Sequence, residues 1–341
     1  MSEVRIVEWD GDRHTWNNYV HSSVDGTVCH LHEWREVIQR AYGHRTFYLA
    51  ATRHGEVCGI LPLVLMHNPF LGRHLVSMPF MDYGGVVTQE GLQVRHQLVE
   101  VAMRLAQEYR ASLSFRCVND QHLDLPIWLE KVTMQFDLGK SEDELWKRLP
   151  SERRNRIRKA QKNGLVVSLH GIEALDAFYA VFATNMRDLG SPVHSRAFFR
   201  HMGTQLGPYM RIALVKSQEQ TIGAACGLFY KDMIVLPWIS SLRPFFHLCP
   251  NQLLYWEMMC FGIAHRYRVL DFGRASKGTG TLEAKRQWGA ESLQLHWYYF
   301  PEAPPPGGER SRFSSQINLW RHLPVRIANV IGPLLRRGIP N

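Results

Sequence analysis

Much that would settle the chemistry of this 341-residue chain early is missing from it. Its six cysteines (Cys29, Cys58, Cys117, Cys226, Cys249, Cys260) lie far apart and form no C-x-x-C pair. Such dispersal argues against a disulfide frame or a zinc site, and for reduced thiols in a cytosolic compartment. The longest clean apolar run, Cys58 to Met66, is far short of the ~20 residues that a membrane span needs. The opening MSEVRIVEWDGDRH lacks a basic-then-apolar signal pattern, so a soluble, unexported chain is expected. No H-E-x-x-H, G-x-S-x-G or Walker A motif occurs. Seventeen histidines are scattered without ligand spacing, and no metal site is expected.

What is present is ordinary globular material, with 45% apolar, 21% charged and 11% aromatic residues, which excludes disorder, collagen and coiled coil. At ~100–200 residues per domain, the length suggests two domains. The net charge of +9 is local. Lys147–Lys162 holds eight basic residues and one acid, for +7, and the stretch from Glu309 onward holds six Arg and one Glu, for +5. Those two segments total +12 against +9 for the whole chain, leaving the remainder at −3, so the question is what they touch.

Strands and amphipathic helices alternate along the chain. Val4–Glu8 reads as a strand and His32–Tyr42 as a helix burying Trp34, Val37, Ile38 and Ala41. Thr46–Thr52 and Val57–Met66 are β-rich runs split by His54-Gly55, a hairpin signal. Gln89–Tyr109 reads as a helix and Leu113–Val118 as a strand, followed by a polar, Pro-interrupted route towards a boundary near residue 140. The second half repeats the order: a basic helix, a strand at Leu165–Leu169, and a helical stripe from Leu175 to Leu189 stopped by Gly190-Ser191-Pro192. Hairpin strands at Arg211–Val215, Thr221–Phe229 and Met233–Trp238 come next, then a helix at Asn251–Arg266 and strands at Val269–Phe272 and Leu293–Phe300. Ala303–Gly308 (APPPGG) reads as a linker. Two similar α+β halves are expected, over 1–140 and 141–302, with a tail at 303–341.

Two stretches carry candidate chemistry. On Ser151–Asn163 the Arg and Lys side chains surround the helix except in the sector of Ile157 and Ala160. This helix is either a solvated connector or a docking surface for a polyanion such as tRNA, a CoA or carrier phosphate, or a lipid head group. Asp271-Phe272-Gly273-Arg274 ends a strand and enters the loop Ala275-Ser276-Lys277-Gly278-Thr279-Gly280, where chemistry concentrates at strand ends. Gly273 to Thr279 imitates a P-loop but has Gly-Thr where Gly-Lys is needed, so nothing reaches a β/γ-phosphate and a nucleotidase is rejected. Arg274 with Gly278-Thr279-Gly280 instead approaches the R-x-x-G-x-G/A loop of acetyl-CoA-binding N-acetyltransferases, one residue too long, and its amides can form an anion nest.

Three blocks, Arg154–Gly164 (RNRIRKAQKNG), Met186–Val193 (MRDLGSPV) and above all Leu270–Ala290 (LDFGRASKGTGTLEAKRQWGA), resemble the FemAB-like branch of the GNAT-type N-acyltransferases. The chain is most similar to the members of that branch associated with exosortase and exopolysaccharide systems. The resemblance implies an α+β fold of two tandem GNAT-like domains, each a mixed central sheet flanked by helices. It implies transfer of an acyl or aminoacyl group to an amine, with no tightly bound cofactor and an acyl-CoA, another acyl carrier or an aminoacyl-tRNA as donor. Of the family's Phe-Lys pair the Lys matches Lys285, but the Phe position is Ala284, a departure that favours an acyl thioester over tRNA.

The expected enzyme is therefore a cytosolic N-acyltransferase, placed also at the periphery of the inner membrane, that acts on an amine-bearing envelope or exopolysaccharide precursor. Lys285 is expected to stabilise the reacting acyl group and Asp271 to orient or deprotonate the amine. Arg274, Ser276, Gly278, Thr279 and Gly280 are expected to grip donor phosphate, and Arg154, Arg156 and Arg158 to recruit the anionic donor. A non-catalytic nucleic-acid-binding module and a scaffold of a membrane-bound complex are the alternatives. In the tail, Ile317 to Leu335 alternates apolar residues with Arg, and Pro324 and Pro333 are expected to break it into short helices. These either pack back onto the body or meet anionic lipid.

Overall fold

His54 and Gly55 both take positive φ, 52° and 85°, the turn that matches the twist of a two-residue hairpin. They join β2 (Arg45–Arg53) to β3 (Glu56–Asn68), and the strand register pairs Arg53 with Glu56. The computed structural model describes residues 3–68, 72–304 and 314–340. Around this hairpin lie β1 (Arg5–Glu8), α1 (Arg13–Ser22), α2 (Glu33–Tyr42), β4 (Gly72–Val76), β5 (Val87–Thr88), α3 (Leu92–Glu108), β6 (Ala111–Cys117) and β7 (Ile127–Trp128). Phe47–Ala51 of β2 are buried at every position, as in a strand covered on both faces. Trp34, Val37 and Ile38 of α2 have no exposure, at the spacing read from the sequence.

The second set of elements is β8 (Lys131–Asp137), α4 (Glu142–Arg148), α5 (Ser151–Lys162), β9 (Leu165–His170), α6 (Leu175–Leu189), α7 (Arg196–Gln205), β10 (Met210–Ser217), β11 (Gln220–Tyr230), β12 (Met233–Ser241), α8 (Pro250–Ala264), β13 (Val269–Ser276), α9 (Gly280–Arg286), β14 (Glu291–Gln294) and β15 (His296–Phe300). The tail adds α10 (Ser314–Arg321) and α11 (Val325–Arg336). Gly190, in the left-handed region, ends α6 where the Gly-Ser-Pro signal places the stop. Pro324 precedes α11, but Pro333 lies inside that helix instead of ending it. It falls in the last turn, where a missing N–H removes a single bond. Most of the APPPGG linker, residues 305–308, lies outside the described residues.

Each sheet is mixed and flanked by helices, as expected. One runs β1-β2-β3-β4-β6-β15-β7, with β5 beside β3; the other runs β14-β8-β13-β12-β11-β10-β9. In both, four antiparallel strands lead through a helix, α3 or α8, to a parallel fifth, β6 beside β4 and β13 beside β12. The sixth strand differs in origin. The sheet built mainly from the first half takes β15, and the sheet built mainly from the second half takes β8. The compact units accordingly comprise Met1–Lys131, Gln294–Gly308 and Arg337–Asn341, and Val132–Leu293 with Glu309–Arg336, rather than 1–140 and 141–302.

The run Leu293–Phe300, which reads as one strand, is cut at Leu295 into β14 and β15 on different sheets. Gln294 fixes the break: its Nε2 donates to the carbonyls of Leu129 (3.1 Å), Lys131 (2.8 Å) and Leu295 (2.7 Å). The Leu295 N–H donates to Lys131 O at 3.1 Å, and its side chain is fully buried.

Candidate active site

The parallel ladder between β12 and β13 has three pairs, from Met233 with Val269 to Val235 with Asp271. It stops there, although β12 continues to Ser241 and β13 to Ser276. Two parallel strands that part towards their carboxyl ends open a fork, the place where ligands enter such sheets. The loop after β13 and the first turn of α8 gather at that end, because α8 links the two strands. Polar groups on the β12 side are fixed in pairs: Asn185 Nδ2 donates to Ser240 Oγ at 3.0 Å, and Ser241 Oγ to Asn251 Oδ1 at 2.6 Å.

Asp271 stands at the last rung and has no exposure. Thr133 and Gln135, two residues apart on one face of β8, reach it across the sheet. Thr133 Oγ1 donates to Oδ1 at 2.7 Å, Gln135 Nε2 to Oδ2 at 3.1 Å, and the Gly273 N–H to Oδ1 at 2.6 Å. A buried carboxylate is tolerated when donors satisfy it in this way. With its oxygens enclosed and occupied by these donors, Asp271 braces the bend of β13 at Gly273. Gly273 has φ of 76°, which a side chain at this position would strain.

Lys285 is half-buried. α9 carries it back over the loop, where Nζ donates to Gly273 O and Arg274 O, both at 2.8 Å. Lys285 and Asp271 thus hold the same bend of β13, one by its carbonyls and the other by its N–H. Arg274 is half-buried at the end of β13. Thr279 caps α9, accepting from the Leu282 N–H, while its Oγ1 donates to Ser276 O at 2.7 Å. Gly278 has φ of 72°, and a Cβ built at Gly278 or Gly280 would meet nothing within 4 Å. The loop backbone therefore has open space beside it at these two glycines.

The basic helix meets this block through Arg153, a residue that reading by charge alone leaves among the surface cations. Arg153 lies one and two turns before Ile157 and Ala160 and shares their buried face. Its Nη2 donates to Gln287 Oε1, and its guanidinium lies 5.8 Å from the Trp288 ring centre. Trp288 is buried against Tyr255 and Phe272. Burial pulls the Arg153 pKa below its ordinary value, partly opposed by Glu152. The three arginines expected to recruit a donor separate. Arg154 is half-buried, with an Nε that has no hydrogen-bond partner among the described residues; Arg156 pairs with Glu152 at 2.7 Å; Arg158 lies 5.1 Å from the Trp146 ring centre.

Residues 151–286, from α5 to α9, match the family model described as Acetyltransferase (GNAT) domain. That stretch contains the fork and its loop. Among solved structures the chain is similar to FemX, with a TM-score of 0.69 at 16% identity, covering 86% of this chain and 97% of that one. L-PGS from Bacillus licheniformis follows at 0.56 and 11% identity, over 91% and 96% of the two chains. A tandem GNAT protein from the clavulanic acid biosynthesis pathway gives 0.53 and 12%, over 87% and 98%. At these identities the likeness is one of fold, and it extends over both units. No curated protein matches by sequence.

Proposed function

We propose that the chain is an N-acyltransferase moving an acyl or aminoacyl group from an activated donor to an amino group of a cell-envelope or exopolysaccharide precursor in the cytoplasm. The observation that carries this is the fork between β12 and β13, with a Gly-rich loop and two cations at its mouth, inside a matched GNAT domain. An acyl thioester, acyl-CoA above all, is favoured as donor. The neutral amine attacks the thioester carbonyl, the N–C bond forms, the C–S bond breaks, and the amine proton leaves to solvent or thiolate. Lys285 and Arg274 bring positive charge to the loop where an oxyanion and donor phosphates would sit, and such fixed charge acts strongly away from bulk water. Ser276, Gly278, Thr279 and Gly280 line the loop for the donor, and Asp271 is a positioning residue.

The net charge of +7 around α5 favours a second reading, in which the donor is an aminoacyl-tRNA and Arg154, Arg156 and Arg158 meet its phosphates. Mass spectrometry of small molecules and RNA that co-purify with the protein separates the two. Recovered CoA thioester, with amide product on incubation with an amine acceptor, supports the first, and recovered tRNA supports the second. RNA bound without any transfer from either donor returns the chain to a binding module and overturns the enzyme.

A further inference from the structure

α11 is amphipathic, but it is docked inside out. The residues it turns inward are small: Ala328 is 2% exposed, and a Cβ at Gly332 would lie 3.0 Å from the Val193 backbone nitrogen. Arg336 also points inward, its Nε donating to His194 Nε2 at 3.0 Å. The large apolar side chains face out, with Val330 69%, Leu334 62%, Ile327 45%, Ile331 39% and Leu335 39% exposed. Positions 327, 330, 331, 334 and 335 form one continuous stripe on a helix. A surface helix ordinarily buries such residues, and a contiguous exposed apolar face marks an interaction site.

The charges beside the stripe identify its occupant. Arg326 lies one turn before Val330 on the exposed side, and Arg321 and Arg337 are exposed before and after the helix. No Asp or Glu follows Glu309 in the sequence. A second copy of this face would bring arginine against arginine, whereas anionic head groups above an acyl layer complement both the stripe and its edge. Twelve residues span only ~18 Å, so the helix lies along the interface and does not cross it. We infer that α11 is a docking surface for a membrane bearing anionic lipid. The inference does not depend on the transfer reaction.

Full-length protein is sedimented with vesicles of phosphatidylcholine containing phosphatidylglycerol, and with phosphatidylcholine alone. Co-sedimentation with the anionic vesicles, weakening as salt rises, is expected. Val330→Ser with Leu334→Ser should lower the affinity at least about tenfold without shifting the thermal midpoint, since both side chains already face solvent. Arg321→Gln and Arg326→Gln should each cost roughly fivefold. Should the double variant not fold, Leu334→Gln alone reads the same surface. Failure of the intact protein to bind anionic vesicles at low salt overturns the inference, as does undiminished binding of the stripe variants. A dimer in analytical ultracentrifugation that the same substitutions dissociate would assign the stripe to a second copy and overturn it as well.

Discussion

Lys285 and Asp271 show how a bend within a strand is held by residues of opposite charge that do not touch the same atoms. Nζ of Lys285 takes the Gly273 and Arg274 carbonyls, and Asp271 takes the Gly273 N–H. Lys285→Ala should therefore lower kcat by about 10²–10³. It should also lower the urea-derived stability by about 1–2 kcal/mol, because charge-assisted bonds to backbone are lost. Near-normal turnover in this variant would remove Lys285 from the site. Asp271→Asn sets an NH2 or a weaker acceptor against three donors, and should cost about 2 kcal/mol in stability. The pH–rate profile of whatever activity survives should be unaltered; loss of its acid-side limb would instead make Asp271 the base. Histidines set the acid side of stability. Burial, aided by Arg35 and Arg13, holds His32 down at about 4, and burial likewise lowers His194 well below its ordinary value. The unfolded chain takes up a proton on these groups near pH 6.5 while the folded chain does not. Stability is thus full above pH 6.5 and falls as the pH drops from there towards 4. Melting curves across that window should show the loss, and His32→Gln should flatten part of it.

At the scale of elements, α5 divides its basic residues between structure and surface. Arg153→Gln breaks a charged bond to Gln287 and the packing over Trp288, and should cost about 2 kcal/mol by chemical denaturation. Neutralising Arg154, Arg156 and Arg158 together should flatten the salt dependence of tRNA binding by roughly 2–3 units if that donor is used, and barely affect binding of acyl-CoA. Arg156 is already paired with Glu152, and an exposed pair of this kind is weak enough to be released to a phosphate. What could be read from the sequence here was local. His54-Gly55 and the Gly190 stop announce themselves through turn chemistry and stand where they read, whereas the strand read as ending at Phe272 runs on to Ser276, so the loop shrinks to the few residues before α9. Arg153 does not, because a long basic side chain on the apolar sector of a charged helix looks like its exposed neighbours. The burial of Asp271 is equally silent, since Thr133 and Gln135 lie well over a hundred residues away in the chain. The break at Leu295 depends on three carbonyl partners of Gln294, and a run of strand-forming residues carries no mark of them.

For the whole molecule, the origin of the sixth strands has a direct test. A fragment of residues 1–140 would carry β8 without its sheet and lack β15 beside β6. A fragment of 141–302 would lack β8, and with it the Thr133 and Gln135 donors to buried Asp271. Neither should give a cooperative melt alone. A sharp transition from either fragment would show that its sheet closes without the borrowed strand. The exchange also bears on how such a chain is made. During synthesis β6 leaves the ribosome well before its neighbour β15, some 180 residues later in the chain. Until then the edge of β6 is an open row of backbone donors and acceptors, the kind that pairs with strangers. Chaperone cover over that interval, and not only the speed of folding afterwards, would set how much of the protein a cell recovers.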